Sequence, residues 1–122
     1  MKHRIIGLVL LAVSLSILSV LTASGEPKGE QVTVKGEVVD LWCYLEDGSH
    51  GPEHKACTTE CAKAGNPIGI VDDKGNIYVV MGMKDHRAGR DVLADKMAQT
   101  VTVTGTLVKK GGTQVLYVTS FE

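Results

Sequence analysis

An alternating run near the end of the chain limits the fold more than any other feature of the sequence. In residues 100–107, Val101, Val103 and Leu107 alternate with threonines and a glycine. Apolar residues at every second position are typical of a strand with one buried face. Gly111-Gly112 separates this run from a second apolar-rich run at 114–121. Glycines between two such runs indicate a hairpin, so the sequence predicts a β-rich fold.

Further elements precede this hairpin. Gly36 interrupts the first alternating run, which suggests a bend or bulge in the strand. Pro52 suits a first helical turn, and Gly65 suits a C-terminal cap. Asp40 and the Asp72-Asp73 pair are expected in turns or at the surface, not as catalytic carboxylates. The predicted elements are strands at 32–41, 67–71, 77–81, 100–107 and 114–121, with helices at 52–64 and, in part, at 85–98.

The closing hairpin carries a resemblance to a known fold. The run Val101-Thr-Val-Thr-Gly-Thr-Leu, the Gly-Gly turn and Val115-Leu-Tyr-Val follow a short helix. This arrangement resembles the last hairpin of an OB-fold, and small exported bacterial OB-like proteins share the same order. The resemblance implies a mainly β domain over residues 32–122. It would be a small five-stranded OB-like barrel with a short helix before the last hairpin. The Cys/His-bearing helix predicted after strand 1 is an insertion that is not part of the generic OB plan.

The first 23 residues predict a signal peptide. A basic start that includes Lys2 and Arg4 precedes a largely apolar stretch at 5–21, and small residues follow it. This order is typical of secretory signals. Cleavage places the protein in the periplasm or outside the cell, with residues 24–31 as a flexible linker. An uncleaved membrane anchor is the alternative, because the stretch is close to the minimum length of a spanning helix.

Composition argues against nucleic acid as a partner. Lys2 and Arg4 belong to the 13 basic residues but precede the cleavage site, whereas all 14 acidic residues follow it. The mature chain is therefore acidic, and it has few aromatic side chains for stacking on bases. After cleavage we also expect no association with the membrane.

Three cysteines and one histidine form the main candidate site. Cys43 follows the first predicted strand, and His54, Cys57 and Cys61 lie in the next helix. At about 100° per residue, the three helical side chains fall within an arc of about 60°. Three thiolates and an imidazole suit a tetrahedral soft metal such as Zn²⁺ or Cu⁺, and an iron cofactor less well. The site would have a structural, carrier or electron-transfer role.

The same cysteines allow two other interpretations. A disulfide from Cys43 to Cys57 or Cys61 would fasten the helix to the barrel, in a compartment that permits disulfides. The barrel would then be a binding module without a metal. Alternatively, a thiol with a low pKa would support redox chemistry. An odd number of cysteines leaves one thiol unpaired, which favours the ligand interpretation.

Secondary candidates lie outside this cluster. His50 in the adjacent loop is a replacement ligand or a solvated loop residue. Met81, Met83 and His86 form a soft ligand set suited to Cu⁺, which is similar in kind to the site of CusF-like periplasmic copper chaperones. Core or rim methionines are the alternative for this set. No residue pattern supports an enzymatic activity, so a non-enzymatic role is expected. The expected partners are a metal ion and another exported protein.

Overall fold

A computed structural model describes residues 25–122, and the signal peptide predicted from the sequence lies outside this range. Within the described range, no helix has the length and apolar character needed to cross a membrane. Five strands form a closed barrel in the order β1-β2-β3-β5-β4, which confirms the predicted OB-like class. The strands are β1 (Glu30–Asp40), β2 (Ile68–Asp72), β3 (Ile77–Gly82), β4 (Thr100–Lys110) and β5 (Thr113–Phe121).

Three short helices lie between the strands. Two of them separate β1 from β2: α1 (Leu41–Asp47) and α2 (Lys55–Ala64), and a 3-10 turn at Pro52–His54 leads into α2. The third, α3 (Arg90–Leu93), continues into a 3-10 turn at Ala94–Lys96 before β4. The helix predicted after strand 1 and the short helix before the last hairpin are thus confirmed, and α2 carries Cys57 and Cys61, whereas His54 lies in the 3-10 turn before it. Helix α1 was not predicted, and it places Cys43 on a helix instead of at the end of a strand.

Two glycines allow the sheet to close. Gly36 pairs with Asp72 of β2 and with Val101 of β4, so β1 changes partners there. A Cβ at Gly36 would lie 2.4 Å from the carbonyl oxygen of Val71. At Gly105, where β4 has a bulge against β5, a Cβ would lie 2.2 Å from the carbonyl oxygen of Tyr117. Both positions therefore require glycine, and the bend expected at Gly36 stays a prediction.

The barrel core is built from inward side chains of all five strands and is capped by residues from α2, from α3 and from the segment that precedes β4. The members contributed from outside the strands are Ala62, Leu93 and Met97. Thr58 and Ala62, four residues apart on α2, are both buried. Residues at this spacing lie on one helix face. Burial of this face against the barrel fixes the rotation of α2, and so decides where the neighbouring residues Cys57 and Cys61 lie.

Candidate metal centre

Asp40, the last residue of β1, caps the start of helix α1. One carboxylate oxygen of Asp40, Oδ1, accepts a 2.9 Å hydrogen bond from the backbone N–H of Cys43. This is an N-cap, which satisfies one of the free donors of the first helical turn. Leu41 is buried and lies against Gly69, and its backbone N–H donates to the carbonyl of Pro67. These contacts hold α1 against the start of β2 and thereby position Cys43.

The second element of the site is α2. Cys57 and Cys61 are four residues apart and therefore lie one above the other on the helix. Each directly precedes a buried residue, so both sulfurs lie beside the packed face and not on the opposite, solvent side. Gly65 ends the helix with a φ of 114°, and its N–H caps the carbonyls of Cys61 and Ala62. The predicted cap at Gly65 is confirmed.

The three thiols converge. The sulfur atoms of Cys43, Cys57 and Cys61 all lie within 4.8 Å of one another. Sulfur ligands bind Zn²⁺ at about 2.3 Å, so thiolates on one tetrahedral ion stand somewhat under 4 Å apart. From spacings of up to 4.8 Å, only a small approach of the sulfurs is needed to reach that value. Cys57 is exposed and the other two are half-buried, so one side of the group is open to solvent.

His54 is not part of this group of mutually close atoms among the described residues. It is the last residue of the 3-10 turn, with φ −92° and ψ 0°, and α2 begins only after it. A 3-10 turn advances about 120° per residue instead of 100°, so the helical phase assumed from Cys57 does not extend to His54. A role of His54 as a ligand stays a prediction.

The disulfide considered for Cys43 is not formed. All three cysteines of the described range are free. A disulfide requires a sulfur–sulfur distance of about 2.05 Å together with converging Cβ atoms. The disulfide alternative is therefore wrong for this structure, in which three free thiols lie close to one another.

The electrostatics of the group oppose a reactive thiolate. The pKa of Cys43 is raised to about 12, first because the thiol can donate a hydrogen bond to the Asp40 carboxylate, and then because of burial. Asp40 Oδ2 nevertheless has no hydrogen bond within the described range. The pKa of the Cys43 thiol is therefore raised because the negative carboxylate lies close to it. Burial is also the largest cause that raises the pKa of Cys61. Redox chemistry needs the opposite shift, and a metal that binds here must displace protons.

Asp40 itself departs from the expectation of a surface or turn residue. Its side chain is 0% exposed. Its second carboxylate oxygen, Oδ2, is buried and has no hydrogen-bond partner among the described residues. The alternation of side chains along β1 indicates this burial. Asp40 is an even number of residues from the inward-facing Val34 and Val38, so its side chain points to the same face of the strand. The prediction was wrong because it judged Asp40 by residue type and not by its place in the strand.

His50 makes contacts other than with the thiols. Its Nδ1 lies 3.2 Å from Oε2 of Glu37, and Oε1 of the same carboxylate accepts the N–H of Gly51. The ring also meets Tyr44 edge-on, with 6.2 Å between ring centroids. Glu37 thus fastens the loop before the 3-10 turn to the barrel. These contacts fit the interpretation of His50 as a loop residue, and its role as a replacement ligand stays a prediction.

The methionine set is divided between two surface cavities. Met81 borders one cavity and Met83 borders another, while His86 borders both. Strand β3 ends at Gly82, so Met83 lies outside the strand. The rule that alternate strand residues share a face therefore does not place its thioether beside that of Met81. Met81 is 38% exposed. A Cu⁺ site formed by these residues stays a prediction.

Comparisons with known proteins give no relative from which a function could be inferred. No family model, no curated protein and no solved structure matches the chain. The resemblance to small exported OB-like proteins and to CusF-like chaperones therefore stays a prediction. The function has to be argued from the thiol group itself.

Proposed function

We propose that this is an exported protein that holds one soft transition-metal ion, Zn²⁺ or Cu⁺, through Cys43, Cys57 and Cys61. The observation that carries the proposal is the convergence of three free sulfurs within 4.8 Å on two elements of the fold. Thiolates are the ligands that such ions prefer, and three of them leave one tetrahedral position for a further ligand.

Solvent access at the site favours a carrier over a purely structural role. Cys57 is exposed, so a ligand from another protein can approach the ion from that side. Trp42 and Leu45, which flank Cys43 on α1, are 65% and 66% exposed. Exposed apolar side chains beside an open site suit contact with a partner. The partner in this proposal is another exported protein that delivers or receives the ion.

The predicted export of the protein also supports a bound metal ion. The basic start and apolar stretch of the first 23 residues are typical of a secretory signal. The compartment outside the inner membrane oxidises thiols. Three neighbouring thiols would be vulnerable there, and a bound metal ion would keep them from oxidation.

Metal analysis of the mature protein, purified without chelator, tests this proposal. We expect about one equivalent of Zn²⁺ or copper per chain, as one tetrahedral site requires. Alkylation of the native protein should be slow at all three cysteines and should become complete after a chelator removes the ion. Absence of metal, together with a disulfide mapped to Cys43 by non-reducing mass spectrometry, would contradict the proposal.

A further inference from the structure

The buried carboxylate of Asp40 lies at the start of the helix that carries Cys43, and one of its two oxygens has no hydrogen-bond partner among the described residues. Its side chain is 0% exposed, and Oδ1 is taken by the backbone N–H of Cys43. Oδ2 has no hydrogen bond, and none of the ion pairs in the described range involves Asp40. Buried carboxylates in proteins are normally paired with a cation or coordinate a metal. This one therefore requires an explanation.

The position of Asp40 links it to the thiols and not to another part of the core. Its charge acts on the thiols of both Cys43 and Cys61. The Cys43 thiol is a donor on which this carboxylate acts, and it loses its proton when it binds a metal. Oδ2 would then face thiolates with no donor at all, which is unfavourable unless a cation lies between them.

We propose that Oδ2 of Asp40 supplies the fourth ligand of the site and thereby favours Zn²⁺ over Cu⁺. This inference rests on the proposed metal site. Carboxylate oxygen is an established ligand of Zn²⁺, whereas Cu⁺ prefers soft sulfur donors. Three thiolates and a carboxylate carry four negative charges, so a divalent ion neutralises more of this charge than a monovalent ion does.

Asp40 fits the fourth position better than His54 does. Neither side chain belongs to the set of ligand atoms within 4.8 Å of one another, so either would have to move closer to the sulfurs to bind the same ion. Asp40 is buried and already acts on two of the three thiols. His54 is half-buried at the end of the 3-10 turn, and it is not among the groups that act on the thiols of Cys43 and Cys61.

Affinities for Zn²⁺ and Cu⁺, measured by competition with chelators on the reduced mature protein, test this inference. The variants are Asp40→Asn and Asp40→Ser, with His54→Gln as the matched control. Asn and Ser both cap helices, so α1 should persist, and circular dichroism checks this. We expect both Asp40 variants to lose at least about 10-fold in Zn²⁺ affinity. Their Cu⁺ affinity, and both affinities of His54→Gln, should stay within about threefold of wild type.

The outcomes separate this inference from the proposed function. Unchanged Zn²⁺ affinity in folded Asp40 variants would overturn the role of Asp40, and so would equal losses for both ions. A Zn²⁺ loss in His54→Gln alone would assign the fourth position to the histidine. In each of these cases the three-thiol site would stand. Failure of the wild-type protein to bind either ion would instead remove the proposed function.

Discussion

Replacement of Cys43, Cys57 or Cys61 with serine is expected to lower the Zn²⁺ affinity of the reduced mature protein by more than about 100-fold. Loss of a group that only supports a ligand costs about 10- to 100-fold, so loss of a ligand should cost more. The serine hydroxyl does not ionise near neutral pH and cannot replace a thiolate. Cys57→Ser is the cleanest variant because this side chain is exposed and its loss removes little packing. Competition with a chromophoric chelator measures the affinity.

Variants of the methionine set are the controls for this prediction. Met81→Leu and His86→Gln change residues that border surface cavities away from the thiol group. Their Zn²⁺ affinity should stay within about threefold of wild type. If the cysteine variants kept wild-type affinity while these two lost it, the metal would lie at the methionine set and not at the thiols.

The second large effect concerns the fold. Gly105→Ala is expected to destabilise the metal-free, reduced protein by at least about 3 kcal/mol. The added Cβ would lie 2.2 Å from the carbonyl oxygen of Tyr117 and 3.2 Å from the Cα of Val118. Both atoms belong to the backbone of β5, so no side-chain rotation relieves the contact. Urea denaturation followed by circular dichroism gives the free energy of unfolding.

Gly25→Ala is the matched control, because no atom lies within 4 Å of the position of its added Cβ. Its free energy of unfolding should stay within about 0.5 kcal/mol of wild type. A Gly105→Ala protein as stable as this control would contradict the prediction. It would show that the backbones of β4 and β5 do not approach each other at the bulge as closely as the structure has them.

The strands could be predicted from the sequence because alternation and glycine turns are local signals. Helix α1 was missed because Leu41-Trp42-Cys43-Tyr44 is apolar and aromatic, and so continues the character of the preceding strand. Its end signals were nevertheless present: Asp40 caps its start, and Gly48 with a φ of 79° ends it. An Asp before an apolar run and a Gly after it are the usual boundaries of a helix.

The site was less predictable than the barrel, for physical reasons. The convergence of Cys57 and Cys61 followed from helical spacing alone. The separation of His54 from them depends on the 3-10 turn that Pro52 begins. The placement of the Asp40 carboxylate beside Cys43 depends on α1, because Asp40 caps the start of that helix. Such tertiary contacts leave no periodic signal in a single sequence, although strand parity did indicate that Asp40 faces inward.

X-ray absorption at the metal edge of the loaded mature protein tests the central claim most directly, because it counts the atoms bound to the ion. For Zn²⁺ we expect three sulfur atoms at about 2.3 Å and one oxygen at about 2.0 Å. A single ion with three sulfur ligands would establish that Cys43, Cys57 and Cys61 form one site. An ion bound only by nitrogen and oxygen atoms, without sulfur, would contradict this claim.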